Sequence, residues 1–301
     1  MAANIIRIMK VKMEHDYKVG STLRDAHPKG HAVLKARFTV RPLVDPALRV
    51  GLFAKPGEHD AVVRLSSASS DVQPDSVPDV RGFAIKLPKL NQDFVLISAP
   101  TMPLGTVQLF HDAIRDQVEL KSPARFFARM LFTHPLRMLE LAKMPIVPRS
   151  PFAIPWYSTT PYTFGAERTC KYILRPTSAH QAPAPNKLPP SDYLTQVMRE
   201  HLSEADATFE FGVQFGVQGQ TLNDAGEDWS HAPVVVLADL VIPKQPVGVE
   251  GQAELVFSPA HALPPHTPLG GLNLARVDIY KALSTFRQTR DGGGGGSLSK
   301  L

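Results

Sequence analysis

Apolar and polar residues alternate through 31–40, directly after the turn-forming stretch His27-Pro28-Lys29-Gly30, and mark a first β-strand. The same two-residue period recurs at 60–67, 80–87 and 93–99, with Pro, Gly and Asp between the runs, which predicts an antiparallel meander. The pattern then lengthens to a helical period over 107–120 and 124–143, the second broken at Pro135. A proline-rich connection, 145–161, contains Trp156 and Tyr157. A second β set follows at 169–175, 208–217 and 233–242, with 253–257 as a fourth member. A helix over 192–203 interrupts it after the loop 182–190. Two sets of four strands predict a closed eight-stranded antiparallel barrel with helical additions, an architecture that removes exposed strand edges and can enclose one ligand. Residues 1–290 read as this one barrel domain and 291–301 as a Gly-rich tail, with no internal repeat at a fixed period.

The last helical segment, 271–290, repeats Leu274, Val277, Leu283 and Phe286 at helical spacing. Arg276 and Tyr280, four apart, share one face, and Arg287 lies a further two turns along it. A neighbouring guanidinium favours the anionic form of a phenol, and a phenolate is a ligand for ferric iron. Taken alone, the helix reads first as an Arg-rich surface helix with a half-buried tyrosine. Its second reading is the proximal wall of a haem site, with an iron-bound tyrosine and an arginine for a carboxylate.

At 301 residues the chain suits one large barrel, and 43% hydrophobic with 20% charged residues permits a sizeable core. The formal net charge of +5 suits an anionic ligand or a basic surface. No Lys/Arg run or nucleic-acid module accompanies it, so nucleic acid is not an expected partner. The single cysteine, Cys170, excludes an internal disulfide framework and a Cys-rich metal site, and a reducing compartment is expected. No apolar run reaches transmembrane length, and the first residues lack the apolar stretch of a secretory signal. The ending Ser299-Lys300-Leu301 is the tripeptide read by the peroxisomal import receptor, and Gly292 to Gly296 would tether it clear of the body. Peroxisomal localisation is the expectation, cytoplasmic if that ending goes unread.

Six segments in order, RDAHPKGHAV, VVRLSSAS, PDVRGFAIKL, QDFVLISAP, FSPAHALPPHTPLGG and ARVDIYKALSTFR, resemble the haem catalases, above all the short catalase-related haem proteins that keep only the barrel core. The resemblance runs from Asp16 to Arg290 and implies ferric haem b enclosed by the catalase-core barrel, with the proximal helix near the C-terminus. It implies that His27 is the distal acid–base, a role suited to imidazole because its pKa lies near neutrality. Ser66 falls on the serine that orients this histidine. Arg24, Arg64 and Arg287 fall on the arginines that bind the haem propionates, for which planar guanidinium forks are well shaped. Arg276 falls on the arginine supporting the iron-bound phenolate, Tyr280 on that phenolate, the metal ligand, and Phe110 on a phenylalanine packed against the haem.

The sequence also departs from the family. With prolines aligned, the catalytic distal asparagine is replaced by Ile97, which offers no hydrogen bond, and a register shift of one would put Ser98 there instead. Ala26 stands where typical catalases have valine, leaving a larger distal space. The family's histidine and acid that support the proximal arginine fall on Tyr162 and Gly270. The expected function is a haem-dependent hydroperoxidase, catalase-like or peroxidase, acting on hydrogen peroxide or on small organic or fatty-acid hydroperoxides. The alternatives are a fatty-acid hydroperoxide isomerase or dehydratase of the allene-oxide-synthase type, and a non-enzymatic haem- or lipid-binding barrel. The larger catalases' arm, wrapping segment and C-terminal region are not seen, from which a shorter channel and a homo-oligomer of simpler build are expected.

Overall fold

A computed structural model describes residues 1–180 and 190–292. The chain opens with a helix, α1 (Ala2–Asp16), where the sequence reading had only an arm. Its buried Ile5, Ile8, Met9 and Met13 recur at helical spacing, the signal that reveals it. Then come β1 (Gly30–Val40), β2 (Gly57–Ser67), β3 (Arg81–Leu87) and β4 (Gln92–Ile97), the expected meander. The first helical stretch splits into α2 (Val107–Ile114) and a π-helical turn, Arg115–Glu119. The second splits at the predicted proline into α3 (Pro123–Thr133) and α4 (Pro135–Lys143). After β5 (Trp156–Tyr157), β6 (Tyr162–Phe164) and β7 (Arg168–Pro176) come α5 (Tyr193–Glu204), β8 (Ala207–Phe215), β9 (Val234–Ile242) and α6 (Gly271–Arg290).

The sheet runs β4-β3-β2-β1-β9-β8-β7, antiparallel throughout. The two-residue β5 closes it, with Ile97 opposite Tyr157 on one side and Trp156 and Tyr157 opposite Leu174 and Ile173 on the other. Eight strands thus form the closed barrel, and β6 is an extra strand on β7. The closing strand therefore comes from the proline-rich connection. Residues 253–257, expected as a strand, form turns and irregular backbone instead. Only Gly248 in that neighbourhood bridges to β1, at Val33.

The barrel interior is packed solid. Phe38 and Phe94 meet Phe211, with ring centroids 5.1 and 4.6 Å apart, and Phe83 packs on Trp156 at 5.2 Å. Side chains alternate across each strand, so while Leu65, Phe83 and Leu96 fill the lumen, their neighbours Ser66, Gly82 and Ile97 point outward. Aromatic side chains occupy the lumen, and the open space described below lies against the outer wall. The expected tail, with Ser299-Lys300-Leu301, and all but the last residue of the loop 182–190 lie outside the described residues, apart from residues 291 and 292.

Candidate functional site

A cavity of about 330 Å³ lies between the outer faces of β2, β3 and β4 and the helices α6, α2 and α1. Its floor is two cross-strand rows of outward residues, Ser66–Gly82–Ile97 and Arg64–Ala84–Val95. Gly82 and Ala84 are small while their inward neighbours Phe83 and Ile85 are large, and this asymmetry makes the room. Tyr280, Arg276 and Arg287 reach the cavity from α6, Phe110 from α2, and Met9 and Met13 from α1. All nine residues nominated from the sequence line this one space: Arg24, His27, Arg64, Ser66, Ile97, Phe110, Arg276, Tyr280 and Arg287.

His27 precedes Pro28 and adopts a left-handed backbone, φ 59°, uncommon for any residue but glycine. Two contacts hold it there. Arg64 donates from Nη2 to the His27 carbonyl at 2.8 Å, and the His27 N–H meets the Ala68 carbonyl at 3.4 Å. The ring is fixed by a 3.0 Å hydrogen bond between Nδ1 and Ser66 Oγ. Nε2 has no protein partner among the described residues. Beneath the ring lies Gly82, where a Cβ would come within 2.6 Å of His27 Cε1, 2.7 Å of Nδ1 and 2.8 Å of Ser66 Oγ. Burial, followed by the charges of Arg64, Arg276 and Arg24, drives the imidazole down to about 3, so it stays neutral.

Arg24, Arg64 and Arg287 converge on one corner, and none forms an ion pair among the described residues; Asp291 and Glu254 act on Arg287 only from beyond ion-pair distance. Arg24 and Arg287 donate to the carbonyls of Leu255 and its neighbours, while Arg64 Nε is buried with no partner. Burial and then mutual repulsion pull Arg24 down to about 8 and Arg64 to about 10. Guanidinium groups keep their charge, so this corner is short of anionic charge. The two carboxylates of a haem fit that demand, and Tyr280 supplies the phenol oxygen that a ferric iron would take. The haem implied by the resemblance therefore fits the residues present.

On α6 the Arg276 guanidinium carbon sits 5.5 Å from the centre of the Tyr280 ring. Burial alone would lower Arg276, but Tyr280 and Tyr162 hold it above its ordinary value. Arg276 donates to Thr160 Oγ1 at 2.9 Å and to Asn273 Oδ1 at 3.3 Å, and Asn273 is itself anchored on the Pro161 carbonyl. Thr160 and Asn273 thus occupy the supporting position for which the sequence offered Tyr162 and Gly270. Gly270 admits no side chain: it caps α6 at φ 80°, and a Cβ would lie 1.8 Å from the Leu222 carbonyl oxygen. The apolar stripe read on this helix also needs correction. Leu274 is 55% exposed, and the buried positions are Leu272, Asn273, Ala275, Ile279 and Arg287.

Ile97, and not Ser98, faces the cavity. Ser98 Oγ accepts from the Arg81 backbone N–H at 3.0 Å and does not line the space. Sequence reading missed Gly82, Asn273, Thr160 and the Met9/Met13 pair. Alternation of small outward with large inward residues in Gly82-Phe83-Ala84-Ile85 was a usable signal for the first.

The barrel, its filled lumen and the helices over its outer wall define the catalase fold. Among solved structures, the chain is similar to a fungal catalase, with a TM-score of 0.72 and 16% identity over 94% of this chain and 63% of that one. Catalase A from Saccharomyces cerevisiae gives 0.72 and 16%, with 92% and 63% covered, and a bacterial catalase gives 0.74 and 15%, with 99% and 66% covered. No family model and no curated sequence matches the chain. It spans less than two thirds of the length of these solved catalases.

Proposed function

We propose that this catalase-fold protein is a haem-dependent hydroperoxidase. The observation that carries the reading is the convergence of nine nominated residues on one cavity, with a neutral, oriented imidazole at the barrel wall, a Tyr–Arg pair on α6 and an anion-deficient arginine corner. Ferric haem b, when bound, supplies the metal centre at which a peroxide O–O bond is cleaved heterolytically. Tyr280 would be the residue to ligate that metal, with the Arg276 guanidinium beside its ring. Arg24, Arg64 and Arg287 would hold the two propionates, and Phe110 would offer its ring to the macrocycle. With Nδ1–H donating to Ser66 Oγ across their 3.0 Å contact, the Nε2 lone pair of His27 would take a proton from one peroxide oxygen and return it to the departing one.

Hydrogen peroxide and organic hydroperoxides are both candidate substrates. The apolar Ile97 and Val95 on the distal wall favour the organic ones, and the same feature keeps the fatty-acid hydroperoxide isomerase reading in play. Among the described residues no helix is long and apolar enough to cross a membrane. Delivery to the peroxisome through Ser299-Lys300-Leu301 is part of this proposal, and a fluorescent fusion lacking those three residues tests it.

The deciding experiment is a visible spectrum of the haem-loaded protein beside Tyr280→Phe, which keeps the ring and removes the oxygen. The parent is expected to bind haem with a high-spin tyrosinate spectrum and the variant to lose that spectrum or the haem. Equal spectra and affinity would overturn the assignment of Tyr280.

A further inference from the structure

Among the described residues, the exposed apolar side chains outside the helical hairpin are mostly scattered along the chain, but on α3 and α4 they gather. Phe132 is 86% exposed, Leu136 75%, Leu139 60%, Leu131 58% and Phe127 45%. Phe127 and Phe132 are the only exposed phenylalanines among the described residues. Each helix also has an inward apolar face that is already satisfied. Phe126 and Met130 of α3, with Met138 and Leu141 of α4, pack over Ala113 and Leu109 of α2. The outward faces, Phe127 and Leu131 at i, i+4 on α3 and Leu136 and Leu139 at i, i+3 on α4, are therefore surplus to the core.

The charge around this face is one-sided. Between residues 119 and 149 there are six basic residues, Lys121, Arg125, Arg129, Arg137, Lys143 and Arg149, against Glu119 and Glu140, which gives +4 of the chain's +5. Arg125 and Arg129 reach Asp116, Arg129 also reaches Asp112, and Arg137 is tied to Asp224, so three of the six are met by acids outside this stretch. Lys121, Lys143 and Arg149 are exposed and pair with no carboxylate among the described residues. Lys121 directly precedes α3, Lys143 ends α4 and Arg149 follows it, and an apolar hairpin flanked by unpaired cations suits the interface of an anionic bilayer, apolar side down and basic side chains at headgroup level.

We propose that the α3–α4 hairpin docks this protein on an anionic phospholipid surface, with Phe127, Leu131, Phe132, Leu136 and Leu139 inserted and Lys121, Lys143 and Arg149 at the headgroups. The inference stands apart from the haem reading, because neither its residues nor its test involves the cavity.

The test is co-sedimentation of the full chain with vesicles of phosphatidylglycerol and phosphatidylcholine, with pure phosphatidylcholine vesicles in parallel. Stronger binding to the anionic vesicles, weakening as salt is raised, is the expected result. Phe132→Ser with Leu136→Ser alters only exposed positions and is expected to keep the fold by circular dichroism. Each lost side chain is worth roughly tenfold in partitioning, so the double variant is expected to bind about a hundredfold more weakly. The proposal fails if the parent ignores anionic vesicles, or if the folded double variant binds them equally. It also fails if light scattering shows a parent dimer that the variant splits, which would make the face a subunit contact.

Discussion

Gly82→Ala tests whether the barrel wall sets the position of the distal imidazole. The new methyl would lie 2.6 Å from His27 Cε1, whereas ordinary carbon contacts begin near 3.4 Å, so the ring must retreat by about 0.8 Å. It would also lie 2.8 Å from Ser66 Oγ, so the partner that orients the ring is displaced together with it. His27 has little room to adapt, because its left-handed backbone is pinned through Arg64 and Ala68. A misplacement on the order of 1 Å can cost about a hundredfold in rate. The expected loss in the rate of peroxide reaction is therefore roughly 10- to 100-fold. Overpacking would add a stability cost of about 1–3 kcal/mol. Haem affinity should change little, because the arginine corner and α6 are untouched. The assay is rapid-mixing kinetics of the haem-loaded variant with hydrogen peroxide and with an organic hydroperoxide, alongside a haem titration. A folded Gly82→Ala protein reacting at the parental rate with both would refute the idea that Gly82 positions His27.

Arg64→Met removes one of three mutually repelling cations together with the donor to the His27 carbonyl, so the haem-free protein should be no more than slightly destabilised in a melting experiment while haem binding weakens about tenfold or more. A variant much less stable and equally tight would contradict the anion-deficient reading of that corner. Acid should weaken the fold through histidines buried in neutral form: burial, then nearby cations, holds His31 at about 3, and burial holds His266 at about 4. Their unfolded values near 6.5 mean that the unfolded chain takes up more protons between those limits, so stability rises with pH across the window and falls as pH drops from 6.5 toward 4. Burial raises Asp25 to about 6, which works in the opposite direction and offsets part of the loss. Chemical denaturation at pH 7 and pH 4.5 reads the net effect. Ile97→Asn should raise the rate with hydrogen peroxide about 5- to 150-fold, from a hydrogen bond of about 1–3 kcal/mol made in the transition state, and lower the rate with a bulky apolar hydroperoxide. Unchanged rates for both substrates would mean that position 97 does not govern the distal wall.

Strand alternation exposed the meander in advance because β1 to β4 each bury one face in the lumen. It failed at β5, where two residues, Trp156 and Tyr157, carry the closure and are too few to show a period. It failed again at 253–257, where Leu255 is buried by arginines gripping its carbonyl and not by a ladder. The α6 face was misjudged for a related reason. Counting apolar residues brought in the exposed Leu274, whereas the face that matters is part polar, with Asn273 and Arg287 both buried. Hydrophobic periodicity finds a helix against a core but not one lining a polar cavity. Residue types with special chemistry, His27, Tyr280 and the arginines, stood out by their motifs. Gly82 and Thr160 did not, because they act by the space or hydrogen bond they give another residue, which only the fold brings near.

The cavity's position explains why one strand residue carries so much of the functional question. The distal wall is the outer face of a sheet, so its chemistry is written at every second position, and in the row Ser66–Gly82–Ile97 each residue has a separate task. Ser66 holds the imidazole, Gly82 leaves room for it, and Ile97 stands at the end of the row with only its alkyl surface to offer. A polar residue at that end could align a small peroxide. An apolar one excludes water and leaves proton transfer to His27, which is held against that row by Ser66. With Val95 beside it and Leu255, Val256 and Phe257 also lining the cavity, a substrate with a hydrocarbon body gains contacts there that hydrogen peroxide cannot make. Discrimination by such a wall would come from buried apolar area and would be modest per carbon, about 0.8 kcal/mol for each methylene enclosed. A series of alkyl hydroperoxides of increasing length should therefore rise in kcat/KM by up to about fourfold per carbon until the cavity is filled. A flat series would place the alkyl chain outside the cavity and remove the reason for preferring organic substrates.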